Sequence, residues 1–142
     1  PLPQSWIDGQ MQLQKKILSR ERELGMIPVL PAFSGGVPDA LEKAQPQAQF
    51  TRHGNWGGFE EKYCCVLTLS PQSELFKEIG KAFVEEVTLA YGSDHMYSCD
   101  TFNENRPGRA SGQASLDYLA ASSRAVFEAM KAGDERAVWV MQ

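Results

Sequence analysis

The chain has 142 residues, 42% of them hydrophobic and 23% charged, a composition ordinary for one globular domain. Its net charge of −4 argues against a nucleic-acid-binding protein that depends on a positive surface. No stretch approaches the roughly 20 apolar residues of a membrane-spanning helix, so we expect neither a nucleic-acid nor a membrane partner.

The first elements are a helix and a strand. Apolar residues at helical spacing predict a helix over 10–24, with Gly25 as its left-handed stop. The run 26–33 has no polar alternation, which is typical of a parallel strand buried on both faces. Pro28 and Pro31 weaken that strand, because each removes a hydrogen-bond donor.

A long connection follows, from Ser34 to Ser70. It contains a predicted short helix at 37–43, a predicted edge strand at 63–69, and Trp56 within a glycine-rich segment. Loops of this length in a compact domain tend to be functional. Two interpretations of Trp56 stay open: its ring packs on a neighbouring loop, or it contacts a ligand.

The rest of the chain alternates regularly. Ser70-Pro71 predicts the start of a helix over 71–91, and a strand over 95–102, a helix over 116–132 and a strand over 138–142 follow. Strands separated by helices predict three parallel strands with the helices packed on one side. Because the chain opens on Pro1 and closes on a buried-strand pattern, we expect it to be a fragment, truncated at both ends.

The most informative stretch is the end of the strand 95–102, which leads directly into Asn103 and Glu104. A carboxylic acid where a parallel strand enters a loop is how α/β barrels present a catalytic acid or base. Asn103 is then a candidate for orienting the substrate. In the alternative interpretation, Glu104 only caps or solvates the strand end.

The sequence predicts no metal site and no cofactor. Adjacent Cys64 and Cys65 are poorly spaced for zinc, and the disulfide status of these residues and of Cys99 stays open. His95 and Glu104 are nine residues apart, at opposite ends of one predicted strand and about 30 Å from each other, so they cannot share an ion.

Six blocks of sequence resemble the α-N-acetylglucosaminidase family of glycoside hydrolases. They are residues 1–6, 25–33, 54–57, 91–95, 100–104 and 137–139. The resemblance implies that residues 1–142 are part of one catalytic (β/α)8 TIM barrel, of which about three parallel strands are present. It also implies that Glu104 ends the fourth strand of that barrel.

The resemblance further implies the roles of individual residues. Glu104 matches the general acid/base of a retaining enzyme, whose nucleophile would lie beyond Gln142. Trp56 matches a wall for the sugar ring, and Asn103 would bond the 2-acetamido group. The implied partner is a glycan with terminal α-linked N-acetylglucosamine, such as heparan sulfate in animals. The implied location is the lysosome, the vacuole or the cell exterior.

A retaining glycosidase needs a second carboxyl group about 5–5.5 Å from the first. Asp100 is four residues before Glu104, so an extended strand would separate their backbones by about 13 Å and direct Asp100 into the lower layers of the barrel. Asp94 would lie deeper still, and Glu60 and Glu61 lie on a loop. None of these fits the nucleophile, and the alternative function is a sugar-binding or scaffold fragment without turnover.

Overall fold

The computed structural model of the chain describes residues 2–102 and 113–141. The helices are α1 (Gln4–Glu23), α2 (Asp39–Ala44), α3 (Glu74–Tyr91) and α4 (Gln113–Gly133), with a short 3-10 helix at Glu61–Tyr63. The strands are β1 (Leu30–Pro31), β2 (Gly36–Val37), β3 (Phe50–Arg52), β4 (Leu67–Leu69), β5 (Met96–Ser98) and β6 (Val138–Val140).

Three of the strands form a parallel sheet in the order β1-β5-β6. Leu30 pairs with Tyr97 across the first interface, and Tyr97 pairs with Trp139 across the second. The helix α3 lies between β1 and β5 in the chain, and α4 lies between β5 and β6. The predicted parallel α/β fold is therefore confirmed.

The core lies between this sheet and the helices. Side chains alternate between the two faces of a strand, and the face that carries Leu30 and Tyr97 is buried. Each long helix contributes to the same apolar cluster, whose helical members include Leu18, Phe76, Val84, Val126 and Met130. On the opposite face, Val138 and Val140 are exposed.

The long connection folds into a second sheet that the sequence did not predict as a unit. The strands β2, β4 and β3 pair antiparallel, with β4 in the centre. The prediction of an edge strand at 63–69 was therefore wrong in two respects. The strand begins only at Leu67, after the 3-10 helix, and both of its edges are paired, which explains why all three of its residues are buried.

Several predicted boundaries shift. The strands are shorter than predicted, and β1 is reduced to Leu30 and Pro31. The helix α1 begins six residues earlier than predicted. Ser70 and Pro71 form a turn before α3, in which the Ser73 amide donates to the Ser70 carbonyl at 3.0 Å, so Ser73 rather than Ser70 is the N-cap.

The C-terminus of α1 is as predicted. Gly25 has φ +77°, and the amides of Gly25 and Met26 donate to the carbonyls of Arg22 and Glu21, both at 3.0 Å. This is the Schellman arrangement, which glycine allows without steric cost. It directs the chain from α1 into the sheet.

Two glycines allow α3 and α4 to pack closely. A Cβ at Gly80 would lie 2.6 Å from the Ala129 Cβ, and one at Gly133 would lie 2.7 Å from the Val84 Cβ. Gly133 ends α4 as predicted, but its small size serves the helix contact as well. In the part of the chain that the structure describes, no helix is long and apolar enough to cross a membrane.

Candidate active site

The carboxyl ends of β5 and β6 border a cavity of about 200 Å³. Its walls include Ser98, Asp100, Thr101, Phe102 and Trp139. The Trp139 indole lies across the neighbouring strand end, since its Nε1–H donates to the Cys99 carbonyl at 3.3 Å. This edge of a parallel sheet is where α/β barrels hold their catalytic groups.

The turn after β5 is held from two sides. The Phe102 amide donates to Asp100 Oδ1 at 3.1 Å, and the Phe102 ring packs at 6.0 Å between centroids on Tyr118 of α4. Burial raises the pKa of the Tyr118 phenol above its ordinary value. The two predicted site residues that come next, Asn103 and Glu104, lie outside the described residues.

The position expected for Asp100 was wrong. The strand β5 ends at Ser98, so Asp100 belongs to the turn beyond the strand and is exposed there. It does not point into lower layers of a barrel. The distance to Glu104 that assumed an extended strand from Asp100 onward loses its basis, because β5 ends at Ser98.

Trp56 lies in the connection, with its side chain 47% exposed. Its ring stacks on Phe59, with 5.9 Å between centroids and 6° between planes. Gly57 and Gly58, with φ of +62° and +74°, make the turn between them, closed by the Phe59 amide donating to the Trp56 carbonyl at 3.2 Å. Trp56 therefore packs within its own loop and keeps much of its surface exposed.

The opposite, amino end of β5 carries a polar cluster that the sequence analysis missed. Asp134, which follows α4, accepts hydrogen bonds from Tyr97 Oη at 2.7 Å, Ser93 Oγ at 2.9 Å and His95 Nδ1 at 2.8 Å. The Arg136 amide donates to the other carboxylate oxygen at 3.0 Å. In α/β barrels, groups at the amino end of the strands contribute to stability rather than to chemistry.

The electrostatics of this cluster follow from its hydrogen bonds. Burial acts to raise the pKa of Asp134, but the donors Tyr97, His95 and Ser93 outweigh it and lower the pKa to about 2. Burial raises the pKa of the Tyr97 phenol. The cluster thus holds an ionised carboxylate that joins β5 to the segment leading into β6.

The His95 ring is bound to Asp134 in this cluster. Within residues 2–102 and 113–141, no three His, Cys, Asp or Glu side chains are close enough to hold one metal ion. In the same ranges all three cysteines are free.

Two residues of the candidate site were not predicted from the sequence: Trp139, which lines the cavity, and Phe59, which stacks on Trp56. Only Trp139 had a signal in the sequence, because it belongs to the block 137–139 that carries the family resemblance. Phe59 had none, because its contact with Trp56 depends on the backbone of the Gly57-Gly58 turn.

Comparisons with known proteins match the whole chain. A sequence model of the α-N-acetylglucosaminidase (NAGLU) TIM-barrel domain matches residues 1–142. Human α-N-acetylglucosaminidase is 46% identical over 142 residues. That match covers 100% of this chain but 19% of the length of the human protein.

Solved structures of family 89 glycoside hydrolases also match the whole chain. A family 89 glycoside hydrolase from Clostridium perfringens, in complex with 2-acetamido-1,2-dideoxynojirmycin, superposes with a TM-score of 0.82 at 26% identity. A variant of the Clostridium enzyme with two Glu-to-Gln substitutions, in complex with its substrate GlcNAc-α-1,4-galactose, gives a TM-score of 0.78 at 25% identity. Both matches cover 100% of this chain and 16% of the bacterial chain. The three parallel strands are thus part of a (β/α)8 barrel.

Proposed function

The chain belongs to the α-N-acetylglucosaminidase family, and from this we infer that the protein is a glycoside hydrolase that removes terminal α-linked N-acetylglucosamine from glycans. The observation that carries the proposal is the 46% identity to the human enzyme over every residue of this chain. Residues 1–142 would be one part of the catalytic barrel, since the chain spans 19% of that relative.

The substrate class is supported by the ligands of the bacterial relative. That enzyme holds GlcNAc-α-1,4-galactose as its substrate and a 2-acetamido iminosugar as a ligand. We propose the same non-reducing sugar for this protein. For the rest of the substrate we propose glycans such as heparan sulfate, and for the location the lysosome, the vacuole or the cell exterior.

Glu104 is the proposed general acid/base. In the sequence it stands two residues after Phe102, which borders the cavity at the carboxyl ends of β5 and β6. In the first step its carboxylic acid protonates the glycosidic oxygen while a second carboxylate attacks the anomeric carbon. In the second step its carboxylate removes a proton from water, which releases the sugar with its α configuration retained.

The second carboxylate, the nucleophile, is proposed to lie outside this chain. The two substituted glutamates of the Clostridium variant are more than one hundred positions apart in that enzyme. Counted forward from Glu104, the same separation would place the second glutamate beyond Gln142. We therefore expect residues 1–142 alone to be inactive.

Trp56 and Asn103 are the proposed substrate-binding residues. An exposed indole offers a flat apolar face to the C–H groups of a pyranose, and the parallel stack on Phe59 fixes its orientation. The Asn103 amide would bond the acetamido group on carbon 2. The alternative function, a fragment that binds sugar without turnover, would use the same exposed aromatic pair.

The experiment is the Glu104→Gln substitution in the full-length protein. We expect kcat/KM on a natural α-linked disaccharide to fall by about 10³-fold or more, because the leaving oxygen no longer receives a proton. A substrate with an acidic aryl leaving group should keep its first step. Hydrolysis of the disaccharide at the wild-type rate would contradict the assignment, and absence of wild-type hydrolysis would favour the binding fragment.

A further inference from the structure

Two free thiols are in contact at the base of the loop that carries Trp56. The Sγ atoms of Cys64 and Cys65 are 2.8 Å apart, well inside the sum of two sulfur radii. Cys65 is buried and Cys64 is half-buried. The remaining cysteine in the chain, Cys99, instead donates to the Phe33 carbonyl at 3.4 Å.

The backbone at this pair is fixed on one side. Cys65 has φ +63°, which side chains with a Cβ rarely adopt. Its carbonyl accepts a hydrogen bond from Arg52 Nη1 of β3 at 3.0 Å. The Val66 carbonyl accepts the His53 amide at 3.0 Å, so the sheet holds this part of the chain in place.

The other side of the pair contacts the aromatic loop. The Cys64 thiol is directed at the carbonyls of Glu60 and Phe59, at 3.6 and 3.8 Å. The Phe59 carbonyl also accepts a hydrogen bond from Asn55 Nδ2, and its ring stacks on Trp56. The thiol hydrogen of Cys64 is thus one of the donors that hold the Trp56–Phe59 pair in place.

We propose that Cys64 and Cys65 form a reversible disulfide, and that its formation loosens the loop carrying Trp56 and Phe59. The oxidant would be a small disulfide such as oxidised glutathione. The Cys64 thiolate attacks it and releases one glutathione. Cys65 then loses its proton to solvent and displaces the second glutathione from the Cys64 sulfur. Two protein thiols become one disulfide, and one glutathione disulfide becomes two thiols.

The geometry makes this disulfide easy to reduce and couples its formation to the contacts of the loop. Adjacent Cα atoms are about 3.8 Å apart, below the about 4.4 Å lower end of ordinary disulfides, and strained bonds are easily reduced. A hydrogen bond with Cys64 raises the pKa of Cys65 to about 11, so Cys64 begins the exchange. The oxidised Cys64 sulfur has no hydrogen to donate to the Phe59 and Glu60 carbonyls.

The first test is peptide mass mapping of the full-length protein after equilibration with oxidised glutathione, alkylation and trypsin digestion. Both cysteines fall in the peptide 63–77, between Lys62 and Lys77. We expect this peptide to be lighter by two hydrogen atoms and unalkylated, and to become doubly alkylated after mild reduction. Two alkyl groups, one glutathione, or a link to the Cys99 peptide after oxidation would overturn the proposal.

The second test reads the loop without an activity assay, by the rate of tryptic cleavage after Lys62 in the native protein. Oxidation should raise this rate by about threefold, the effect of losing weak S–H···O contacts. Cys64→Ser keeps a hydroxyl donor and should be cleaved slowly whatever the oxidant. Cys64→Ala has no donor and should be cleaved fast in both conditions. An oxidant response in Cys64→Ser, or equal rates for the two variants, would overturn the link to the loop.

Discussion

Asp134 offers a prediction whose magnitude follows from its surroundings. Its carboxylate is 10% exposed and accepts bonds from Tyr97, Ser93 and His95, which keep its pKa at about 2. An unfolded aspartate titrates near 3.9, and each pKa unit is worth about 1.4 kcal/mol. The ionised group therefore stabilises the native state by about 2.6 kcal/mol above about pH 4, and this is lost as pH falls through about 2.

The perturbation is Asp134→Asn in the full-length protein, which keeps the side-chain shape and removes the charge. The assay is hydrogen exchange of β5 and β6, where the Val138 amide donates to the His95 carbonyl at 2.7 Å. At pH 6 we expect protection to fall by about 80-fold, the equivalent of about 2.6 kcal/mol.

The pH dependence and a control complete this test. The difference between wild type and variant should shrink between about pH 4 and pH 2, because over this range the aspartate binds a proton in the unfolded chain while the native carboxylate stays largely ionised. Asp8→Asn, on the exposed face of α1, should change neither value. Equal protection of wild type and Asp134→Asn at pH 6, or an undiminished difference at pH 2, would refute the reasoning.

Four further predictions concern packing and substrate binding. Gly80→Ala should lower the free energy of unfolding by about 1–3 kcal/mol, since its Cβ would lie 2.6 Å from the Ala129 Cβ. Gly9→Ala, in α1 with nothing within 4 Å, should raise it by about 0.5–1 kcal/mol. A higher Tm for Gly80→Ala would refute the first prediction, and a lower Tm for Gly9→Ala would refute the second. Trp56→Ala should lower kcat/KM by about tenfold or more at unchanged Tm, and wild-type kinetics would contradict the role of its ring. Asn103→Ala should cost about 1–3 kcal/mol of transition-state binding, less than Glu104→Gln, and the reverse order of kcat/KM would refute it.

The main architecture was predictable because it depends on local patterns. Helical spacing of apolar residues and the glycine after α1 gave the order of elements, and the alternation of strands and helices gave the parallel sheet. Boundaries were less predictable, since they depend on partners elsewhere in the chain. The strand β5 stops at Ser98 because pairing with β6 and β1 stops there, and nothing within the stretch 95–102 marks that point.

The candidate site was only partly predictable, for the same physical reason. Trp56 was identified from its glycine-rich surroundings, but Phe59 became its partner only through the turn at Gly57-Gly58. The cluster around Asp134 brings together residues about forty positions apart, so no local spacing indicates it. Glu104 and Asn103 rest on the motif and on the family, and their roles stay predictions.

The most direct measurement is the configuration of the product that Glu104→Ala forms with azide from an α-linked aryl N-acetylglucosaminide. With Glu104 as the acid/base, the aryl group leaves unaided and a β-linked glycosyl-enzyme forms. Azide then attacks from the opposite side, so we predict an α-glycosyl azide and faster turnover as azide is added. A β-glycosyl azide would show that Glu104 is itself the nucleophile. Wild-type turnover without azide would show that it is neither.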